Sequence, residues 1–179
     1  MKSLLIKPLK SEVILDLNYS IKVYKQYFNF ASSHFLIFED GTREPLHGHN
    51  YRVMLKGEVS ELKSDMVFDF LDIKPIVREV CDSLDHKLLL PKQNPRLKIF
   101  EEENNFVIIP PCESKFSIPK QDVLLLPILN TSAERLAVYL CDEIRRLTYE
   151  RFQFKFQHLE IEVEETPGQS AIYVHKEEL

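Results

Sequence analysis

The chain is poor in cysteine, has no basic block and carries no long apolar run, and each shortage closes off a class of function. Its cysteines, Cys81, Cys112 and Cys141, are odd in number and lack the spacing of a disulfide framework or a thiolate metal site. That usage suits a reducing compartment. Cys81 and Cys141 fall on helical patterns, where cysteine acts as a small buried filler. A net charge of −5 with no cluster of lysine and arginine removes the electrostatic basis for binding nucleic acid. No stretch approaches the roughly 18 apolar residues of a membrane span. The opening segment Met1–Lys7 is interrupted by Pro8 and Lys10 before a signal-peptide core can form. Repeats and low-complexity segments are also missing. The expectation is a cytoplasmic protein whose 179 residues, 44% of them hydrophobic, form a single domain over 1–179.

The most informative stretch is Leu46-His47-Gly48-His49-Asn50-Tyr51, which opens an alternating run through Val59. Side chains of a strand alternate between faces, so His47 and His49 share one with Tyr51, Val53 and Leu55. Upstream, Phe28, Phe30, Ser32 and His34 share a face of a second run, Gln26–Ile37. If the two runs pair antiparallel through the loop Glu39–Pro45, whose Asp40-Gly41 supplies turn chemistry, the three histidines converge. Three histidines with an open fourth position is the usual arrangement of catalytic Zn²⁺. Imidazole also accepts other divalent ions.

Beyond Asp69 the period changes. Ile73, Ile76, Val77, Val80 and Leu84 mark one face of a helix, and Pro75 places its start near Leu71 or Asp72. The helix ends at Asp85-His86, where a histidine is favoured by the helix dipole but also forms a plausible proton-transfer pair with the aspartate. A second helix begins near Asn130-Thr131-Ser132, with Thr131 and Glu134 in capping-box spacing and Leu136, Ala137, Leu140, Ile144 and Leu147 as its buried stripe. Between the helices, Leu88–Leu129 is too long for a plain connection. It reads as a β region with strands at Arg96–Glu102, Phe106–Ile109, Lys115–Ile118 and Val123–Pro127. Before all of these, Glu12–Leu15 and Tyr19–Val23 suit short strands.

A final hairpin, Phe156–Glu165 and Ser170–His175, turns at Pro167-Gly168 with type II geometry. Leu159, Ile161 and Val163 form its apolar face, with Glu160, Glu162 and Glu164 opposite. Glu165 continues the apolar phase. If the strand extends that far, a carboxylate points inward and needs a strong partner; if it stops at Glu164, Glu165 is exposed in the turn.

In order along the chain stand Phe30-x-x-x-His34, Leu46-His47-Gly48-His49-Asn50-Tyr51, Met66-Val67-x-Asp69, Leu84-Asp85-His86-Lys87-x-Leu89, Thr131-Ser132-Ala133-Glu134-x-Leu136-Ala137 and Val163-x-Glu165-Thr166. This series resembles the 6-pyruvoyltetrahydropterin synthase / 6-carboxytetrahydropterin synthase family over about residues 26–175. Residues 1–25 then read as an N-terminal extension and 91–122 as an inserted β region. The resemblance implies an α+β tunnelling fold: an antiparallel four-stranded sheet with two helices on one face, oligomerising through its sheets into a β-barrel. It implies a homo-oligomer, a trimer or dimer of trimers, with active sites between subunits. It implies Zn²⁺ on His34, His47 and His49, a small-molecule pterin held by Glu165 with Thr131, Ser132 and Glu134 nearby, and a proton relay at Asp85 and His86.

One departure bears on the reaction. Family members making pyruvoyl- or carboxy-tetrahydropterin carry a catalytic cysteine just before the first histidine of H-G-H. Here that stretch is Gly41-Thr42-Arg43-Glu44-Pro45-Leu46, without cysteine. Arg43-Glu44-x-Leu46-His47 instead resembles a subclass with glutamate in the role, which cleaves 7,8-dihydroneopterin triphosphate to 6-hydroxymethyl-7,8-dihydropterin for folate synthesis. Glu44 is accordingly the expected catalytic base. A 6-pyruvoyltetrahydropterin-forming enzyme and a non-catalytic pterin-binding oligomer are the alternatives.

Overall fold

The computed structural model describes residues 17–111 and 114–177. Three antiparallel pairings build its centre. Strand β2 (Asn29–His34) pairs with the first half of the long β3 (His47–Val59), which pairs on its other side with β9 (His158–Thr166), and β9 with β10 (Gln169–Lys176). β1 (Tyr19–Val23) covers the second half of β3, from Val59 back to Leu55. The run Glu12–Leu15 lies outside the described residues.

The alternation of β3 does what its pattern requires: Tyr51, Val53, Leu55 and Val59 are buried. Val53 faces Val163 and Leu55 faces Ile161 across the β3–β9 pair. Opposite Leu159 the side chain is absent, because Phe156 occupies the space: a Cβ on Gly57 would come within 2.4 Å of its ring.

Helices α1 (Phe70–Leu84) and α2 (Ala133–Phe152) cover this apolar face. The Asp69 carboxylate caps α1 by accepting from the Leu71 N–H at 2.7 Å, so the helix begins slightly before the expected Leu71. Pro75 then falls in the second turn, on the exposed side, where solvent can satisfy the carbonyl that its missing N–H leaves. The cap of α2 is Ser132, accepting from the Arg135 N–H, and not the expected Thr131. Thr131 is wholly buried and its hydroxyl donates instead to the Phe35 carbonyl. No described helix is long and apolar enough to cross a membrane.

The expected four antiparallel strands, β10-β9-β3-β2, are present but do not end the sheet. β4 (Lys87–Pro91) and β8 (Val123–Leu126) extend it beyond β2 in parallel, giving seven strands and a mixed sheet. The direction of β4 follows from α1, which carries the chain back so that β4 enters beside β2 pointing the same way. Periodicity does not reveal β4. Leu88, Leu89, Leu90 and Pro91 are all buried, so the strand reads as a continuous apolar run with no alternation.

The other strands of this region form a separate antiparallel sheet, β5 (Lys98–Glu102), β6 (Asn105–Ile109) and β7 (Phe116–Pro119). It stands on a second apolar core in which Phe35 and Ile37, just past β2, meet Leu90, Leu97, Ile108 and Val123.

Candidate active site

Register brings the histidines together. His34 lies directly opposite His47, and Ser32 opposite His49, so all three rings project from one face at the start of β3. Ring centroids are 4.7 Å apart for His34–His47, 4.8 Å for His47–His49 and 5.3 Å for His34–His49. One nitrogen from each lies within 4.8 Å of the others. On His34 and His47 the opposite nitrogen is already engaged. The Thr131 carbonyl sits 2.9 Å from His34 Nδ1 and the Pro45 carbonyl 2.8 Å from His47 Nδ1. A carbonyl only accepts, so each Nδ1 carries the proton and each Nε2 presents its lone pair, the tautomer a metal ligand needs. Burial lowers the His34 pKa, against the Thr131 carbonyl, and the neighbouring His47 adds to the lowering. The neutral, ligating form is favoured. The donor set therefore fits a divalent metal.

Glu165 closes on this cluster. β9 continues through Thr166, so its carboxylate keeps the inward phase. Oε1 lies 3.5 Å from His34 Nε2 and 3.6 Å from His49 Nε2. The hydroxyl of fully buried Tyr51 donates to it at 3.3 Å and stands 3.2 Å from His34 Nε2. Burial first, then the Glu165 charge, raise the Tyr51 pKa far above its ordinary value, which keeps the hydroxyl a donor. Glu165 also lines a cleft of about 250 Å³ with Leu36, Ser132, Glu134 and Gln169. Ser132 and Glu134 thus share a cavity with Glu165, whereas Thr131 stands behind the site, holding His34 through its carbonyl and Phe35 through its hydroxyl.

Glu44 sits on the loop entering β3, locked to the end of β2. Its N–H donates to the Leu36 carbonyl at 3.0 Å, and its Oε2 accepts from the Leu36 N–H at 3.2 Å. Leu36, to which it is bonded, lines the cleft beside Glu165, and the Glu44 charge adds to the raising of the Tyr51 pKa. Cys81 and Cys141 are elsewhere, on the buried faces of α1 and α2, with thiols pushed up to about 12 by desolvation.

Asp85 and His86 form a tight pair. His86 Nδ1 is 2.8 Å from Asp85 Oδ2, and Asp85 Oδ1 accepts from the Ala31 N–H at 2.7 Å. Burial would raise the Asp85 pKa; the Ala31 N–H and the His86 ring outweigh it and hold the carboxyl below its usual range. The His86 side chain is 83% exposed and lines a second cavity with Ser33, Gly48 and Asn50, which Ser32 and His49 also border. Ser33, Gly48 and Asn50 have the opposite strand phase to His34, His47 and His49, so the cavity beside His86 is bordered mostly by the other face of the β2–β3 pair, with His49 at its edge.

Sequence reasoning passed over Tyr51 and the Thr131 carbonyl. The phase of Tyr51 with His47 and His49 was the available signal for the first. Nothing in sequence marks a backbone carbonyl.

A family model described as 6-pyruvoyl tetrahydropterin synthase matches residues 22–176. The chain belongs to this family. Among its relatives, a putative 6-carboxy-5,6,7,8-tetrahydropterin synthase of Methanocaldococcus jannaschii is 40% identical over 147 residues, covering 80% of this chain and 88% of that protein. The 6-carboxy-5,6,7,8-tetrahydropterin synthase of Haemophilus influenzae is 31% identical, over 69% of this chain and 82% of the relative. Among solved structures, the 6-pyruvoyl tetrahydropterin synthase of Plasmodium vivax superposes with a TM-score of 0.80 at 33% identity, covering 88% of this chain and 98% of that one. A variant of the P. vivax protein in which a glutamate, described as a catalytic residue, is replaced by alanine superposes equally well. The two helices on a curled mixed sheet are the tunnelling fold of 6-pyruvoyl tetrahydropterin synthases, and the chain is a lyase-type enzyme of pterin chemistry.

Proposed function

We propose that this chain is a cytoplasmic, zinc-dependent enzyme that cleaves the side chain of 7,8-dihydroneopterin triphosphate to 6-hydroxymethyl-7,8-dihydropterin, supplying folate synthesis, with Glu44 as its base. The carrying observation is the placement of Glu44. It is held on the loop leading into the histidine cluster, in a stretch with no cysteine, while Cys81 and Cys141 lie in the core. The catalytic glutamate named for the P. vivax relative supports the same assignment.

Zinc on His34, His47 and His49 would supply Lewis acidity and a template for the side-chain hydroxyls. Glu165, kept in place by the Tyr51 hydroxyl, accepts from the N2/N3 edge of the pterin, and Ser132 and Glu134 border the same cleft. Glu44 takes the proton of the C2′ hydroxyl. The C1′–C2′ bond then breaks, its electron pair passing to C1′ and the pterin ring, and a two-carbon aldehyde carrying the triphosphate leaves. Return of a proton to C1′ completes the hydroxymethyl product.

Asp85 orients His86 for proton relay. His86 opens on a cavity bordered mostly by β2 and β3 residues of the other strand phase, so we assign the relay serving a given triad to a neighbouring copy. This supports a homo-oligomer, a trimer or dimer of trimers, with each site shared between subunits.

The names of the M. jannaschii and H. influenzae relatives favour a second reading, formation of 6-carboxytetrahydropterin. Product analysis separates the two. Zinc-loaded protein given 7,8-dihydroneopterin triphosphate is expected to yield 6-hydroxymethyl-7,8-dihydropterin by chromatography with fluorescence detection, and Glu44→Ala to keep its zinc while losing turnover. A pyruvoyl or carboxy product, or full activity in Glu44→Ala, would overturn the proposal.

A further inference from the structure

Glu44 is not held by its own loop alone. The neighbouring guanidinium of Arg43 donates to the Glu44 carbonyl at 2.6 Å. The same guanidinium lies 5.5 Å from the Phe35 ring centroid and 5.0 Å from that of Phe116, and these two rings stack on each other at 5.9 Å. Phe35 follows His34 at the end of β2; Phe116 begins β7. Arg43 therefore touches three parts at once: the carbonyl of the proposed base, the end of the strand carrying a proposed metal ligand, and the separate β5–β6–β7 sheet.

That sheet can serve as a fixed support. Leu97 and Ile108 anchor it on Phe35, Ile37 and Leu90 of the second core. The turn before Arg43 is fastened from the same side, where Arg96 donates to the Phe38 carbonyl at 2.7 Å. A guanidinium suits the task because it is planar, lies flat over aromatic faces and still directs an N–H edgewise. A lysine ammonium is a point charge on a flexible stem and cannot do both.

We propose that Arg43 is the positioning residue of Glu44, and that the β5–β6–β7 sheet, through Phe116, is the wall against which Arg43 is set. The inference rests on Glu44 being the base. Misplacing a base by about 1 Å costs on the order of a hundredfold in rate without weakening substrate binding. Phe116 lines neither the cleft beside Glu165 nor the triad; it reaches Glu44 through Arg43 and His34 through Phe35, and bound zinc tells the two routes apart.

The test compares Glu44→Ala, Arg43→Ala, Arg43→Lys and Phe116→Leu in the zinc-loaded full chain, measuring kcat, KM, bound zinc and amide exchange at Leu36. With Glu44→Ala inactive, Arg43→Ala is expected to lower kcat about tenfold to a hundredfold at unchanged KM and zinc content. Arg43→Lys should not restore it, and Phe116→Leu should give a smaller loss of the same kind. Exchange of the Leu36 N–H, whose acceptor is Glu44 Oε2, should quicken in all three. If Arg43→Ala does not fold, Phe116→Leu decides. Wild-type kcat and exchange in these variants, with Glu44→Ala still inactive, overturns the inference and leaves the proposed reaction standing. A kcat that falls only in step with zinc loss or with a rise in KM overturns it also, because the contact is then merely structural. Activity in Glu44→Ala overturns the reaction first.

Discussion

Tyr51 joins the two halves of the site. With the histidine Nε2 atoms turned to a metal, the single proton of its hydroxyl goes to Glu165, 3.3 Å away. Glu165 is then held by a donor that burial prevents from ionising, and it presents its free lone pairs to the cleft. Tyr51→Phe removes that donor with little change of shape. A hydrogen bond to a charged acceptor contributes about 1.5–3 kcal/mol. The variant is expected to bind pterin roughly tenfold or more weakly, read as KM or by fluorescence titration, while retaining full zinc stoichiometry because Tyr51 adds no ligand to the triad. Loss of zinc along with pterin would instead make Tyr51 a support of the metal site.

Among the elements, the end of β10 is clamped to α2 through Glu177. Its carboxylate accepts from Lys155 and from Arg145 of α2, with His175 of β10 at 3.4 Å. Chiefly the Lys155 contact, opposed by partial desolvation and reinforced by Arg145, depresses its pKa from an ordinary 4.5 to about 2. A carboxylate with a depressed folded-state pKa stabilises the fold above its unfolded value, and that contribution disappears as pH falls through the folded one. The window here runs from about 4.5 down to about 2. Glu177→Gln should therefore melt below wild type at neutral pH, and the gap should close as the pH approaches 2, as followed by thermal unfolding across that range. A gap independent of pH would mean that Glu177 acts through packing.

At the scale of the whole molecule, Glu44 is bonded to Leu36 of the cleft beside Glu165 while His86 opens on another cavity, and both belong to one proposed reaction. A shared site between copies predicts complementation. Glu44→Ala and His86→Ala chains, each inactive alone, should regain turnover when unfolded together and reassembled, because some interfaces then combine an intact Glu44 with an intact His86. Mixed assemblies that stay inactive would place the relay within a single chain or outside the reaction.

Much of this was legible in the residues themselves. Strand β3, both buried helical stripes, the β5–β8 strands and the common face of His47 and His49 follow from period and phase, which are local properties of backbone geometry. The inward phase of Glu165 follows from the same rule. Only tertiary structure decided the rest. Register set His34 opposite His47; the crossover through α1 placed β4 in parallel beside β2; and the packing of α2 turned Thr131 from a helix cap into the buried group behind His34. It likewise set Arg43 over Phe116, 73 residues further on, counting 116 − 43. Each of these joins residues distant along the chain, and their meeting depends on which surfaces bury one another, a choice that periodicity along a single stretch does not encode.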